Sequence, residues 1–164
     1  MMGDESERAY EKALTFLERK SRTEAEVHER LDRSGFAEDV ITETLDRLRN
    51  VGLVDDEDYA ERYLEALRAK GRGQRRVADE MRRKGLPDDI VRVCIEENIN
   101  RVDEIKSATE IAEKLFEQLG GHDTEADEWE AMQKKLQKIN RKLVSLGYPY
   151  GVIGEVMTKL RNEL

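Results

Sequence analysis

One cysteine, two prolines and nine aromatic residues are scarce numbers for a chain of 164 positions. A lone thiol, Cys94, excludes an internal disulfide framework and fits a reducing compartment. Few prolines leave long stretches open to helix, and few aromatics restrict the core to aliphatic side chains. With 38% hydrophobic and 40% charged residues, such a core suits small helical units better than a sheet. No segment approaches the run of about 18 apolar residues expected of a membrane-crossing helix. The N-terminal MMGDESERAYEKAL also has neither the basic nor the apolar region of a secretory signal. The expectation is a soluble, cytoplasmic protein without membrane contact.

Groups that could do chemistry are equally sparse. The two histidines, His28 and His122, have no paired cysteine or HExxH spacing beside them, so no metal site is expected. Cys94 occupies a repeat position held elsewhere by Thr44 and Val156, which reads as a small core or boundary residue rather than a reactive thiol. Gly71-x-Gly73 lacks the preceding strand and the GK[ST] of a phosphate loop and reads as a flexible turn between helices. The acids Asp55-Asp56-Glu57-Asp58 lack EF-hand spacing and read as the capped start of a helix. No catalytic residue, cofactor or enzymatic activity is expected.

What is present is an internal repeat. EVHERLDRSGFAEDVITETLDRL from Glu26, RVADEMRRKGLPDDIVRVCIEEN from Arg76 and KINRKLVSLGYPYGVIGEVMTKL from Lys138 superimpose without a gap on their glycines Gly35, Gly85 and Gly147. Apolar residues coincide at Val27/Val77/Ile139, Leu31/Met81/Leu143, Phe36/Leu86/Tyr148, Val40/Ile90/Val152, Ile41/Val91/Ile153 and Leu45/Ile95/Met157. Each glycine ends one helical pattern and precedes an apolar residue, as a left-handed residue just past a helix end does. Both prolines, Pro87 and Pro149, fall two residues beyond it, which suggests the first turn of the following helix.

A further helix precedes each pair. Ala9, Ala13, Leu14 and Leu17 mark the first. Tyr59, Ala60, Tyr63, Leu64 and Leu67 predict the second over about 56–69 with Asp55 as its cap. Ile105, Ala108, Ala112, Leu115, Phe116 and Leu119 predict the third, stopped by Gly120-Gly121. Thr23-x-x-Glu26 is a capping box. Trp129, Met132, Leu136, Ile139, Leu143 and Leu146 predict one middle helix of about 22 residues in the last unit. The fold expected is all-α: three tandem three-helix, helix-turn-helix-like modules over 1–54, 55–100 and 101–164. Units this small should dock on one another, in an elongated, curved arrangement.

Charge is unevenly placed. The net charge is -8, yet Arg68–Lys84 carries eight bases against Asp79 and Glu80, just after VDDEDYAE, which has five acids and no base. Overall acidity argues against a free-standing DNA binder without excluding a local phosphate contact. Within the basic block, Arg76, Arg82, Arg83 and Lys84 lie on a helix with acids at pairing distance. Arg68 lies just before the glycine turn, and Lys70, Arg72 and Arg75 occupy or adjoin it, where side chains project freely. A second block, Lys134 to Lys142, puts Lys134, Lys138 and Arg141 on one stripe. It can face an anion or pair with the acid run Asp123–Glu130.

The sequence resembles the RecX family, regulators of the RecA recombinase. The resemblance is carried by Thr23-Glu24-Ala25-Glu26-Val27 with Leu31 and Gly35-Phe36, by Gly52-Leu53-Val54-Asp55-Asp56 through Tyr59-Ala60, and by Gly71-x-Gly73-x-Arg75-Arg76 leading to Lys84-Gly85. It spans about residues 9–98, and the last module matches mainly in apolar pattern. Gln74 and Ser21 stand where the family commonly has proline. The resemblance implies a non-enzymatic regulator that docks in the groove of a RecA–single-stranded DNA filament and restrains its growth or activity. Its partners would then be the filament and the single-stranded DNA within it, with weak binding to free DNA, and it would act as a monomer. Arg68, Lys70, Arg72, Arg75, Arg76, Arg82, Arg83, Lys84, Lys134, Lys138 and Arg141 are the candidate contacts. The alternative is a helix-turn-helix DNA-binding transcriptional regulator.

Overall fold

The computed structural model describes residues 2–120 and 128–164. His122, Gly121 and the stretch 123–127 of the acid run lie outside the described residues. The described chain contains helices α1 (Met2–Arg19), α2 (Glu24–Arg33), α3 (Glu38–Asn50), α4 (Asp56–Ala69), α5 (Gln74–Arg83), α6 (Asp88–Asn98), α7 (Arg101–Gln118), α8 (Glu128–Ser145) and α9 (Tyr150–Asn162), with no strand among them. The chain forms two compact units. One comprises the chain up to Tyr63 together with Glu80–Cys94; the other comprises Leu64–Asp79 and the chain from Ile95 onward. Helices α4, α5 and α6 are thus each divided between the units.

In the first unit α1, α2 and α3 pack on one another. Ala9 and Ala13, both wholly buried, let the backbone of α1 approach closely, and Val27, Leu31, Ile41 and Leu48 fill the space between. In the second unit α7, α8 and α9 do the same around Ala108, Ala112, Ile139, Leu143, Tyr148 and Val156. The repeat positions deduced from the aligned glycines account for most of this packing: Val27, Val77 and Ile139 are fully buried, as are Leu31, Met81 and Leu143. Burying a large aliphatic side chain contributes about 1.5–3 kcal/mol, so these positions, rather than helix propensity, hold such short helices.

The local signals act largely as read. Gly35, Gly85 and Gly147 have φ of 88°, 81° and 88°, and the residue after each, Phe36, Leu86 and Tyr148, donates its N–H back to Leu31, Met81 and Leu143. Thr23 forms the full capping box with Glu26. Asp55 caps α4 by accepting from the Asp58 N–H at 3.1 Å.

Two expectations are corrected. The prolines stand at the N-cap rather than in the first turn: Pro149 is the N-cap of α9 with φ -60° and ψ 145°, and the carbonyls of Pro87 and Pro149 accept the first helical bonds, from Val91 and Ile153. The extended ψ that a cap requires is available to proline, and a cap residue's own N–H has no helical partner to lose. The middle helix of the last repeat is described over Glu128–Ser145, and the residues before Glu128 lie outside the described ones. Trp129, placed on its apolar stripe, is 74% exposed; the first residue of that stripe packed against the core is Met132, one turn later.

Candidate partner-binding site

The turn between α4 and α5 carries Lys70 and Arg72, with Arg68 just before it and Arg75 and Arg76 just after it, and in the second unit it is docked rather than loose. The Gly73 N–H donates to the Leu146 carbonyl at 2.7 Å, and the Arg75 N–H to the Gly147 carbonyl at 2.8 Å. The Tyr148 hydroxyl donates to the Gly71 carbonyl at 3.0 Å. A Cβ on Gly73 would lie 2.5 Å from the Tyr148 nitrogen, and one on Gly147 would lie 2.3 Å from the Arg76 nitrogen. Two backbones therefore touch where only glycine fits, and the flexible turn expected from Gly71-x-Gly73 is corrected to a pinned one. Burial pushes the Tyr148 phenol up to about 12, opposed by the nearby Arg68 charge.

Glu104, on the first turn of α7 and 1% exposed, binds this turn electrostatically. It pairs with the Arg68 guanidinium, and its other oxygen accepts from the Gln74 N–H at 3.1 Å, at the start of α5. One carboxylate thus neutralises a cation and satisfies an orphan helix N–H. Arg68 also donates to the Arg72 carbonyl at 3.2 Å. Its charge is turned inward, with only 18% of its side chain exposed, and its role is to hold the turn.

The remaining cations of the turn differ in exposure. Lys70 and Arg75 are exposed, as expected of the turn, whereas Arg72 is half-buried, a correction to the expectation that it projects freely, and Arg76 on α5 is half-buried too. The Arg75 guanidinium lies over the Tyr150 ring, 4.6 Å from its centroid, on a ring that is itself 66% exposed. Stacking of this kind holds an arginine in the open at little entropic cost while leaving donors for a ligand.

Family models for the first and second three-helix domains of RecX match residues 9–48 and 55–93. A regulatory protein RecX from Clostridium perfringens is 34% identical over 98% of this chain and 72% of its own. Another from Mycolicibacterium vanbaalenii is 32% identical over 98% of this chain and 89% of its own. The chain belongs to the RecX family. The crystal structure of RecX from Lactobacillus salivarius superposes with a TM-score of 0.82 at 25% identity, over 97% of this chain and 98% of that one. A second crystal structure, of regulatory protein RecX, shares the fold with a TM-score of 0.75 at 21% identity, over 94% of this chain and 72% of its own.

Membership of the RecX family gives this chain a regulatory role. No group of three His, Cys, Asp or Glu side chains among the described residues is placed to hold a metal, and no described helix is long and apolar enough to cross a membrane. Cys94 is buried. His28, half-buried, shares its Nε2 with Glu38 at 2.8 Å.

The other candidate cations fall into two groups. On α5 and the turn after it, in the first unit, Arg82 pairs with Asp88 at 3.2 Å and Arg83 with Glu80 at 3.4 Å. Lys84 lies over the Tyr63 ring. On α8, in the second unit, Lys134, Lys138 and Arg141 are all exposed, with Lys134 paired to Glu130 at 3.3 Å. Arg141 precedes the docked Leu146 by five residues, about 7.5 Å along a helix axis, so this stripe leads away from the pinned turn. Lys135, in the same basic run, turns inward: it donates to the Gly120 carbonyl at 2.9 Å and covers the Phe116 ring.

Sequence reasoning did not find Glu104, Tyr148 or Tyr150 as parts of this site. Tyr148 had a usable signal, because it is the one polar-tipped residue at the position filled by Phe36 and Leu86. Glu104 had none, since nothing local distinguishes it from other acids near a helix start.

Proposed function

We propose that this chain docks in the groove of a RecA–single-stranded DNA filament and restrains its assembly or activity in recombination and repair, acting as a cytoplasmic monomer. The reading rests on membership of the RecX family, whose members resemble it along nearly the whole chain. The observation that carries it in this molecule is the pinned turn, which holds Lys70, Arg72, Arg75 and Arg76 on a fixed backbone in a chain of net charge -8. Preorganised cations lose less entropy on binding, and an acidic remainder limits adhesion to nucleic acid elsewhere. Arg68 positions the group through Glu104. Lys134, Lys138 and Arg141 on α8, and separately Arg82, Arg83 and Lys84 in the first unit, are further candidate contacts.

Co-sedimentation with RecA, with and without single-stranded DNA and nucleotide, tests this reading. Binding to the filament should exceed binding to naked DNA at near-physiological salt, and equal binding would favour a DNA-binding regulator instead. Changing Lys70, Arg72 and Arg75 together to glutamate should weaken filament binding far more than the same change at Arg33, Arg62 and Lys159. Removing one charge-assisted hydrogen bond costs about 1.5–3 kcal/mol, whereas a distant charge acts only through a screened field.

A further inference from the structure

The first unit carries a second concentration of positive charge that the pinned turn does not use. Between α1 and α2 lies a cleft of about 480 Å³ lined by Arg8, Lys12, Arg19, Arg22, Arg30 and Glu11, with Phe16 in its wall. Five cations to one carboxylate is the reverse of the surrounding sequence, where residues 1–55 hold nine bases and 14 acids. Two of the arginines are arranged around the aromatic ring: the Arg22 guanidinium lies 4.2 Å and that of Arg30 5.5 Å from the Phe16 centroid.

Internal acids satisfy these groups only in part, through two long ion pairs. Glu26 is the acid nearest Arg22, and its carboxylate is shared: Oε1 serves the capping box, accepting from the Thr23 N–H at 3.1 Å, and Oε2 faces Arg22. It stands 3.7 Å from the Arg22 guanidinium, beyond hydrogen-bond length. The Arg22 Nε is buried with no acceptor among the described residues. Arg8 reaches Asp4 only at 4.0 Å. A charged donor buried without an acceptor is rare and calls for an explanation.

We propose that this cleft binds a phosphorylated ligand of nucleotide size, through the guanidinium groups of Arg22 and Arg30 with Lys12 and Arg19 at the rim. Planar guanidinium forks match phosphate oxygens two at a time. So much positive charge in so small a space asks for several closely spaced negative charges, as adjoining phosphates supply and a single carboxylate does not. The volume is in the range of small-ligand sites, about 300–1,000 Å³. The phosphates can belong to a free nucleotide or to consecutive units of a strand.

Calorimetric titration of the full chain with pyrophosphate, ADP and a short thymidylate oligonucleotide, at low and at near-physiological salt, separates these sources. Binding of pyrophosphate and ADP assigns the site to a free nucleotide; binding of the oligonucleotide alone assigns it to a strand. No binding of any of the three at low salt overturns the proposal. Lys12→Gln with Arg30→Gln should weaken binding at least tenfold, while Arg33→Gln with Arg62→Gln, which changes net charge equally, should leave it within twofold. Equal weakening by both pairs also overturns the proposal, because the attraction would then be generic. Chemical-shift mapping on the unmodified chain gives a check that needs no variant: the ligand should move the Arg22 and Arg30 side-chain signals and the Phe16 ring, and shifts confined to other residues would refute the site.

Discussion

Each compact unit contains one joint in which a turn opening a middle helix meets the turn that ends the next, and the two joints are built at equivalent repeat positions from different residues. In the first, the Thr23 hydroxyl donates to the Lys84 carbonyl at 2.7 Å, and buried Asp56 accepts from the Glu24 N–H at 3.0 Å. In the second, the Gly73 N–H donates to the Leu146 carbonyl at 2.7 Å, and buried Glu104 accepts from the Gln74 N–H at 3.1 Å. In both, a carboxylate from a following helix caps the start of the middle helix.

The difference lies in what accompanies that carboxylate. Glu104 has Arg68 against it; among the described residues Asp56 has no arginine in ion-pair contact and stands near Glu24 and Asp55, so burial first, and then those like charges, push its carboxyl above the ordinary value. One geometry is thus held by a compensated ion pair and the other by a hydrogen bond to an uncompensated acid. The basic turn proposed to meet a partner sits on the compensated joint.

The largest effect should follow from removing the compensation. Glu104→Ala leaves the largely buried Arg68 guanidinium unpaired and the Gln74 N–H without its acceptor, and should cost about 3–5 kcal/mol in urea unfolding. A loss near that of an exposed ion pair, below about 1 kcal/mol, would show that the second joint does not depend on the pair.

Next comes steric fit. Gly147→Ala forces a left-handed alanine against the Arg76 backbone, and the two penalties together should reach about 3 kcal/mol. Gly35 has the same φ but open space around its Cβ position, so Gly35→Ala should lose only the conformational part, about 1–2 kcal/mol. In the first joint the obstacle is a side chain: a Cβ on Gly85 would lie 2.4 Å from the Ala25 Cβ. A double-mutant cycle of Gly85→Ala with Ala25→Gly should therefore show favourable coupling of about 1–2 kcal/mol. The corresponding cycle of Gly147→Ala with Arg76→Gly should show little, because the Arg76 backbone nitrogen stays in the way.

These joints also show where sequence is a sufficient guide. The helices, their buried faces and the left-handed glycines are set by spacing within about 25 residues, and the three aligned segments state that spacing three times. The capping box at Thr23 is equally local. Gly73 is different: its sequence neighbours suggest a loose hinge, and only the backbone of Tyr148, far along the chain, makes glycine obligatory there. For the same reason Arg68 reads as a surface cation until Glu104 is placed beside it. Trp129 reads as core because periodicity does not tell where a stripe runs out of neighbours.

A smaller effect is expected at the Tyr148 hydroxyl. Tyr148→Phe removes the bond to the Gly71 carbonyl and should cost about 1 kcal/mol at neutral pH. The phenol titrates at about 12 in the folded chain against an ordinary 10.0, so between those values the native state keeps a proton that the unfolded state releases. Stability must fall as pH rises through that window, and the variant's stability should fall less steeply there. Parallel pH profiles for the two chains would mean that the hydroxyl is not held in the joint.

The smallest change should come from Asp56→Asn, and its sign separates the two joints. The amide oxygen can still accept from the Glu24 N–H, so the helix start stays capped, while the buried negative charge and its repulsion from Glu24 and Asp55 disappear. The folded carboxyl titrates above the ordinary 3.8, so between 3.8 and that raised value the native state binds more proton than the unfolded chain. The aspartate's contribution therefore worsens as pH rises through the window and is least unfavourable below it. At neutral pH the asparagine variant should match or exceed the parent in urea unfolding, by less than about 1 kcal/mol, and its advantage should shrink as the pH is lowered toward 4. A clear destabilisation at neutral pH would mean that the charge itself holds the first joint, as the Glu104 charge holds the second.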